Sequence, residues 1–497
     1  FAEAVRFFAP DMPVIRFPAW DCLPYDRVSP NADISAQRMA TLGGLVHGMP
    51  KQFILLTTLN AAMQRVPARQ VLRDAAFRAE VGRPIDEEAL RSFLGRMGFS
   101  KAPTVLEPGD YAIRGGIIDI YPPGDLGPIR LDLFGDILDG ARRFDPVSQR
   151  TTETLTEIEL SPVSEVILDE AAITRFRQNY RSEFGAARSD DPLYESISAG
   201  QKVQGFEHWL PFFHARLESL FDYLPEVCVS FDDQLEPARL ARWEGIEDQY
   251  ETRKLAMQAK QRMDSVYKPV TPTALYLDDA AWAASLNGHK VLKLHPLAQA
   301  SGPGVIDAQG RLGRNFAPER QQETVSLFSS LCHHVQKKLV SGPVVLASYS
   351  DGSCERLSGL VSDEGFGDPV KINTRAQIGD AGLYVTVWGL EHGFETPDFT
   401  VISEQDILGD RLVRSAKKRR KAENFLTETQ SLSAGDLVVH VDHGVGRYHG
   451  LELVTAAGAA HECLVLEYAE SARLYLPVEN IELLSKYGHD EGLLDKL

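Results

Sequence analysis

The chain has 497 residues, a net charge of −18 at neutral pH, an apolar fraction of 43% and a charged fraction of 25%. That length is too great for a single hydrophobic core and predicts roughly three to five domains. The balance of apolar and charged residues excludes a disordered or fibrous chain. The negative charge argues against a protein that coats nucleic acid without regard to sequence, and no run reaches the roughly 18 apolar residues of a membrane span. The five cysteines, Cys22, Cys228, Cys332, Cys354 and Cys463, are dispersed with no CxxC spacing. This points to reduced thiols in a cytoplasm and away from a disulfide framework or a zinc site. The start, Phe1-Ala2-Glu3-Ala4-Val5-Arg6, has neither a signal-peptide pattern nor a Met, so the chain is expected to begin inside a longer protein.

Residues 1–75 predict an α/β unit. Pro13 to Phe17 is a short strand, and residues 34–46 are a helix. Phe53 to Thr58 is a second strand, apolar enough to be buried on both faces. The string Ala19-Trp20-Asp21-Cys22-Leu23-Pro24-Tyr25-Asp26, continuing through Ser29-Pro30 to Arg38, resembles the first domain of bacterial transcription-repair coupling factors and of their relative UvrB, a nucleotide-excision-repair helicase subunit. In UvrB that domain carries a phosphate-binding loop. The G-x-x-x-x-G-K-[ST] pattern that builds such a loop is absent from all 497 residues; either the helicase-derived domains are degenerate or the part of the first domain that holds the loop lies upstream of Phe1.

Residues 76–163 shift to β character after a helix at 86–97. Glycines and prolines cluster at Pro108-Gly109, Gly115-Gly116 and Pro122-Pro123-Gly124, as turn chemistry requires. In Ile129-Arg130-Leu131-Asp132-Leu133-Phe134 the leucines share one face, while Arg130, Asp132 and Phe134 share the other. Two charges beside an aromatic on a solvent face form an interaction pattern. Gly109 to Pro122 and Leu131 to Asp136, continuing to Arg150-Thr151, are similar to the second domain of UvrB. That resemblance implies docking of the damage-sensing ATPase UvrA, with Arg114, Arg130 and Phe134 matching positions the family uses at that interface. From the residues alone, the arginines would solubilise an exposed sheet face and Phe134 would close a hairpin.

Residues 164–290 mix helical patterns with short strands. Trp209, Phe212, Phe213, Leu217, Leu220, Phe221 and Leu224 recur at helical spacing and predict core. Val227 to Val229 is a strand, and a charged helix covers 239–263. Residues 291–405 alternate strand and helix (319–340, then strands at 342–348, 383–387 and 400–403), which predicts a βαβ unit on a parallel sheet; in the coupling factors the equivalent domain has no clear role. Cys332-His333-His334 lies in a helical pattern that spreads the three side chains apart. Residues 406–432 are a basic linker: Arg411, Arg414, Lys417, Lys418, Arg419, Arg420 and Lys421 occur with no acid between them. Lys417, Lys418, Arg419, Arg420 and Lys421 suit a nucleic-acid or partner contact, or a solvated linker.

Residues 433–489 predict an all-β module. Leu437, Val439 and Val441 alternate with Val438, His440 and Asp442, and Gly444 and Gly446 are expected to punctuate a tight turn. Cys463 to Tyr468 is apolar on both faces, the loop 456–460 precedes it, and Pro477 in Arg473 to Val478 suggests an edge strand. The pattern His440-Val441-Asp442-His443-Gly444-Val445-Gly446-Arg447-Tyr448, followed by Leu474-Tyr475-Leu476-Pro477-Val478, resembles the RNA-polymerase-interacting domain shared by CarD-type regulators and the coupling factors. This implies a small Tudor-like barrel that grips the polymerase β subunit. Tyr448, Leu451, Leu453 and Val454 are the candidate apolar anchor and Arg447 a polar rim contact. Leu451 and Leu453 could equally fill the module's own core.

The fold class expected is therefore multidomain α/β: UvrB-like degenerate helicase domains, a further α/β domain and a C-terminal Tudor-like barrel. Among catalytic patterns, H-E-x-x-H and G-x-S-x-G are missing. The chain is expected to be a non-enzymatic adaptor without cofactor or metal, in a bacterial cytoplasm, bound to UvrA and RNA polymerase. The family implies a separate DNA-dependent ATPase motor, which would take ATP and Mg and make most of the DNA contact. The alternative is a CarD-like regulator on a degenerate helicase scaffold without repair function.

Overall fold

The computed structural model describes residues 1–185, 191–258, 267–297, 299–321 and 326–409, and in the C-terminal part 435, 437–440, 444–456, 459–468, 472–477 and 484–486. The candidate contacts Lys417, Lys418, Arg419, Arg420 and Lys421 lie outside the described residues. The chain divides into two compact units, Phe1–Ile407 and Leu408–Leu497. No helix of the described residues is long and apolar enough to cross a membrane.

In the first unit, helix α1 (Ala2–Phe8) precedes strand β1 (Val14–Phe17), helix α2 (Ala32–His47) and strand β2 (Ile54–Thr57), with β1 and β2 paired in parallel. Asn31 caps α2 by accepting from the Asp33 N–H at 2.9 Å, as a short polar residue does at a helix start. β2 is half-buried and not buried on both faces as its apolar run suggests, because its sheet has only these two strands and a parallel strand needs neighbours on each side to disappear from solvent.

The next segment forms a layered domain. It contains β3 (Phe77–Glu80), α3 (Glu87–Arg96), β4 (Asp110–Arg114), β5 (Ile117–Ile120), β6 (Ile129–Phe134), β7 (Ile137–Phe144), β8 (Thr151–Leu155) and β9 (Glu157–Leu160). One sheet runs β8-β7-β6-β5-β4, with the short strand Ser100–Lys101 at its end; β3 and β9 pair separately. Asp86 accepts from the Ala89 N–H at 2.9 Å and starts α3, and Glu87 and Glu88 complement the positive helix end. Leu90, Phe93 and Leu94 of α3 pack on Ile118, Ile120, Ile129, Leu131, Leu138 and Ala141. The helix therefore covers one face of the sheet, and the hairpin-tip end of the other face is exposed.

Helix α4 (Glu170–Phe184) opens an aromatic core in which Phe176 and Phe213 stack at 4.9 Å. The run Trp209 to Leu224 is core, but it is not one helix. It breaks into a 3-10 turn at Phe206–Trp209, a helix at Leu210–Phe213, a strand at Leu217–Glu218 and a second 3-10 turn at Leu220–Tyr223. Short turns of different pitch can bury the same residues as a regular helix. Strand β10 (Cys228–Asp232) precedes helix α5 (Leu235–Gln258) and pairs in parallel with β11 (Lys290–Leu294), so residues 290–294 lie with the segment before them.

The last part of this unit carries α6 (Leu327–Leu339), β12 (Val344–Ser348), α7 (Asp351–Asp363), β13 (Leu383–Val387) and β14 (Thr400–Ser403). The helix expected over 319–340 is interrupted: Ala317–Arg320 is a separate short helix. β12 runs parallel to both β13 and β14 in a six-stranded sheet, as a βαβ unit predicts. α1 returns to this domain, where Phe7 stacks on Trp388 at 4.6 Å.

The second unit is a five-stranded antiparallel sheet. Its strands are β15 (Leu437–His440), β16 (Gly444–Ala456), β17 (Ala459–Glu467), β18 (Arg473–Pro477) and β19 (Leu484–Lys486), ordered β18-β17-β16-β15-β19. Cys463, Leu464, Val465 and Leu466 are all buried, as the two apolar faces of β17 require. β18, with Pro477, stands at the end of the sheet order. Gly444 and Gly446 are not in the turn; both lie in β16. A Cβ on Gly446 would meet the Tyr468 ring at 2.9 Å, so here glycine permits ring-on-strand packing. Of the expected loop 456–460, Ala456 and Ala459–Ala460 lie in strands and residues 457–458 are outside the described ones.

Candidate protein-docking surfaces

The open face of the β4–β8 sheet follows from strand register. Arg114 lies opposite Ile117, Ile117 opposite Asp132, Asp119 opposite Arg130, and Arg130 opposite Arg142. Side chains directly opposite across an antiparallel pair share a face, so these residues and Asp132 occupy the outer one. Arg130 grips Asp119 through two bonds, Nε to Oδ1 at 2.7 Å and Nη2 to Oδ2 at 2.9 Å, and its Nη2 also donates to Gln149 at 3.0 Å. Its guanidinium lies 4.5 Å from the centre of the Phe144 ring. The Asp119 hydrogen bond, outweighing partial desolvation, drives the Arg130 pKa further up. A second ion pair joins Arg142 to Asp132.

Arg114 is exposed at the end of β4 and donates from Nη2 to the Pro103 carbonyl at 2.5 Å. Phe134 is 79% exposed beside the turn to Ile137, where Gly135 adopts φ +64°. That backbone conformation suits glycine at a two-residue hairpin. Of the three expected docking residues, Arg114 and Phe134 face solvent. Arg130 shares their face, but its side chain is only 24% exposed and already paired with Asp119. The pattern Arg-x-Asp-x-Phe located this face; it did not reveal the buried Asp119, which the adjacent strand supplies. It also missed Ile117 and Ile137, each 40% exposed on the same outer face.

In the second unit, Tyr448 is 6% exposed and packs with Val438, Leu464, Leu466, Tyr468 and Leu476. It serves the core and is not an outward anchor, because the register that pairs Tyr448 with Leu466 turns both to the inner face. Leu451 is 47% exposed and Arg447 is exposed. Leu453 and Val454 lie in β16 opposite Glu462 and His461; their side chains are outside the described ones. Gly450, with φ +140°, follows an irregularity in the β16–β17 register. Burial pushes the Tyr448 pKa up.

Elsewhere, Cys332 and His334 are buried on α6 while His333 is exposed, so the triplet does not converge. Among the described residues no group of three or more His, Cys, Asp or Glu could hold a metal ion.

Two family models match these two regions: the UvrB interaction domain over residues 77–165 and the CarD-like/TRCF RID domain over residues 432–488. Nearly the whole chain is transcription-repair-coupling-factor-like. The factor from Escherichia coli is 32% identical over 96% of this chain, that from Rickettsia bellii 28% over 99%, and that from Bacillus subtilis 24% over 98%. The chain spans about two fifths of the length of these relatives, 41% of the Escherichia coli factor and 42% of the other two.

Proposed function

We propose that this chain is the adaptor portion of a transcription-repair-coupling factor, with one protein-docking surface on each unit. The β4–β8 face would bind UvrA through Arg114, Phe134 and the surface that Arg130 organises. The second unit would bind RNA polymerase, at its β subunit, with Leu451, Leu453 and Val454 as apolar contacts and Arg447 at the rim. Its sheet would be part of a Tudor-like barrel, whose edge β18 can add to a partner strand by backbone hydrogen bonds. The UvrB-like part would be a degenerate helicase-derived scaffold kept for docking. ATP and Mg chemistry, with most DNA contact, would belong to motor domains of the whole factor, and the chain would act in a bacterial cytoplasm. The observation that carries this reading is the solvent-facing Phe134 at the exposed hairpin end of the sheet within the matched UvrB interaction domain.

The test is a binding assay of the purified chain against UvrA and against RNA polymerase. Phe134→Ala should weaken UvrA alone, and Leu451→Arg should weaken polymerase alone. Failure of the unmodified chain to bind either partner would refute the adaptor role. Binding of polymerase without UvrA would favour a CarD-like regulator.

A further inference from the structure

The outer face of the β4–β8 sheet is not uniform. Near its middle the charges pair with one another: Arg130 with Asp119, and Arg142 with Asp132. At the end carrying the β4–β5 and β6–β7 hairpin tips, Ile117, Phe134 and Ile137 are all exposed. Phe134 pairs directly with Ile137, Ile117 pairs with Asp132, and the Leu133 N–H donates to the Gly116 carbonyl at 2.7 Å, which sets the two hairpin tips side by side. An irregularity explains why Ile137 faces outward. Asp132 pairs with Gly140 but Leu133 pairs with Leu138, so Asp139 is an extra residue on β7. Counting by twos from the inward Ala141, Asp139 and Ile137 would both point to the core. The bulge reverses this, sending Leu138 in at 0% exposure and Ile137 out.

On the basis of the UvrA reading above, we infer that UvrA is gripped by the apolar triad Ile117, Phe134 and Ile137, with Arg130 as a positioning residue that holds the sheet face through Asp119. An apolar cluster beside paired charges has the hot-spot form in which surrounding groups exclude water more than they bind. Most of the Arg130 guanidinium is engaged within the domain: Nε and Nη2 bond Asp119 and Gln149, and the group lies over the Phe144 ring. The matching surface on UvrA would be an apolar pocket with an acidic group opposite Arg114, the rim guanidinium with the greater exposure.

The test titrates purified UvrA against the full chain, with a thermal melt of every variant. Ile117→Ser and Ile137→Ser should each weaken binding about tenfold, as loss of a hot-spot contact does, with an unchanged melt and unchanged salt dependence. Arg114→Ala should flatten the salt dependence. Arg130→Ala should weaken binding, and the double variant Asp119→Leu/Arg130→Met, which removes both charges, should recover it. Wild-type affinity in both isoleucine variants, with the unmodified chain binding normally, would overturn the triad. A double variant that melts normally yet binds as poorly as Arg130→Ala would make Arg130 a direct contact. No binding by the unmodified chain would instead refute the UvrA reading itself.

Discussion

Two six-stranded sheets in the first unit bury their strands in different ways. In the 344–403 domain every residue of β12 and β14 is buried, because parallel strands take crossover helices on their faces. In the 77–165 domain α3 covers the inner face, and β6 alternates buried Ile129 and Leu131 with partly exposed Arg130 and Asp132. A doubly covered sheet has no side chains to spare for a partner. A singly covered one can place charges and aromatics in register on its free face. The matched UvrB interaction domain is the singly covered one.

The contrast can be broken by substitution. Leu346→Ala in β12, at 0% exposure, should cost about 2–5 kcal/mol, whereas Ile117→Ala on the open face should stay within about 0.5 kcal/mol; urea unfolding measures both. Equal losses would mean that the open face is covered in solution. Asp119→Ala strands the Arg130 guanidinium on a partly covered face and should cost about 1–3 kcal/mol. A smaller loss would show that Gln149 and Phe144 suffice to hold Arg130. In the second unit, Gly446→Ala forces a methyl against the Tyr468 ring and should cost about 1–3 kcal/mol, read from the melt of that unit.

A separate effect is titration in the scaffold beside these sheets. Burial pushes the Glu207 carboxyl up to about 7, against the opposing hydrogen bond from Ser29. A carboxyl whose folded pKa is raised contributes stability that is full below its unfolded pKa and lost as pH rises through the folded value. The melting temperature of Glu207→Gln relative to wild type should therefore increase between roughly pH 4.5 and pH 7. A flat difference across that window would remove the shift.

Much of the domain at 77–165 was legible beforehand. The helix at 86–97 and the glycine- and proline-marked turns are read from local signals, so α3 and the hairpin tips could be located beforehand. The parallel arrangement at 344–403 followed from alternation of element types. The helical spacing of Trp209 to Leu224 misled, because burial periodicity does not distinguish a helix from 3-10 turns and a strand that meet the same core. Gly444-Val445-Gly446 misled for a related reason: glycine marks either a turn or a close approach, and only the position of the Tyr468 ring tells which.

What the amino-acid order determined by itself was the face of β6 that carries Arg130, Asp132 and Phe134, since alternation along one strand is a local property. What only the tertiary structure decided was how those side chains are used. Asp119 comes from the neighbouring strand and occupies Arg130; Tyr448 is drawn inward by its pairing with Leu466; and the extra residue Asp139 turns Ile137 outward. Each depends on register between strands. Register is set by which core the whole sheet buries, and one residue of slip exchanges its two faces.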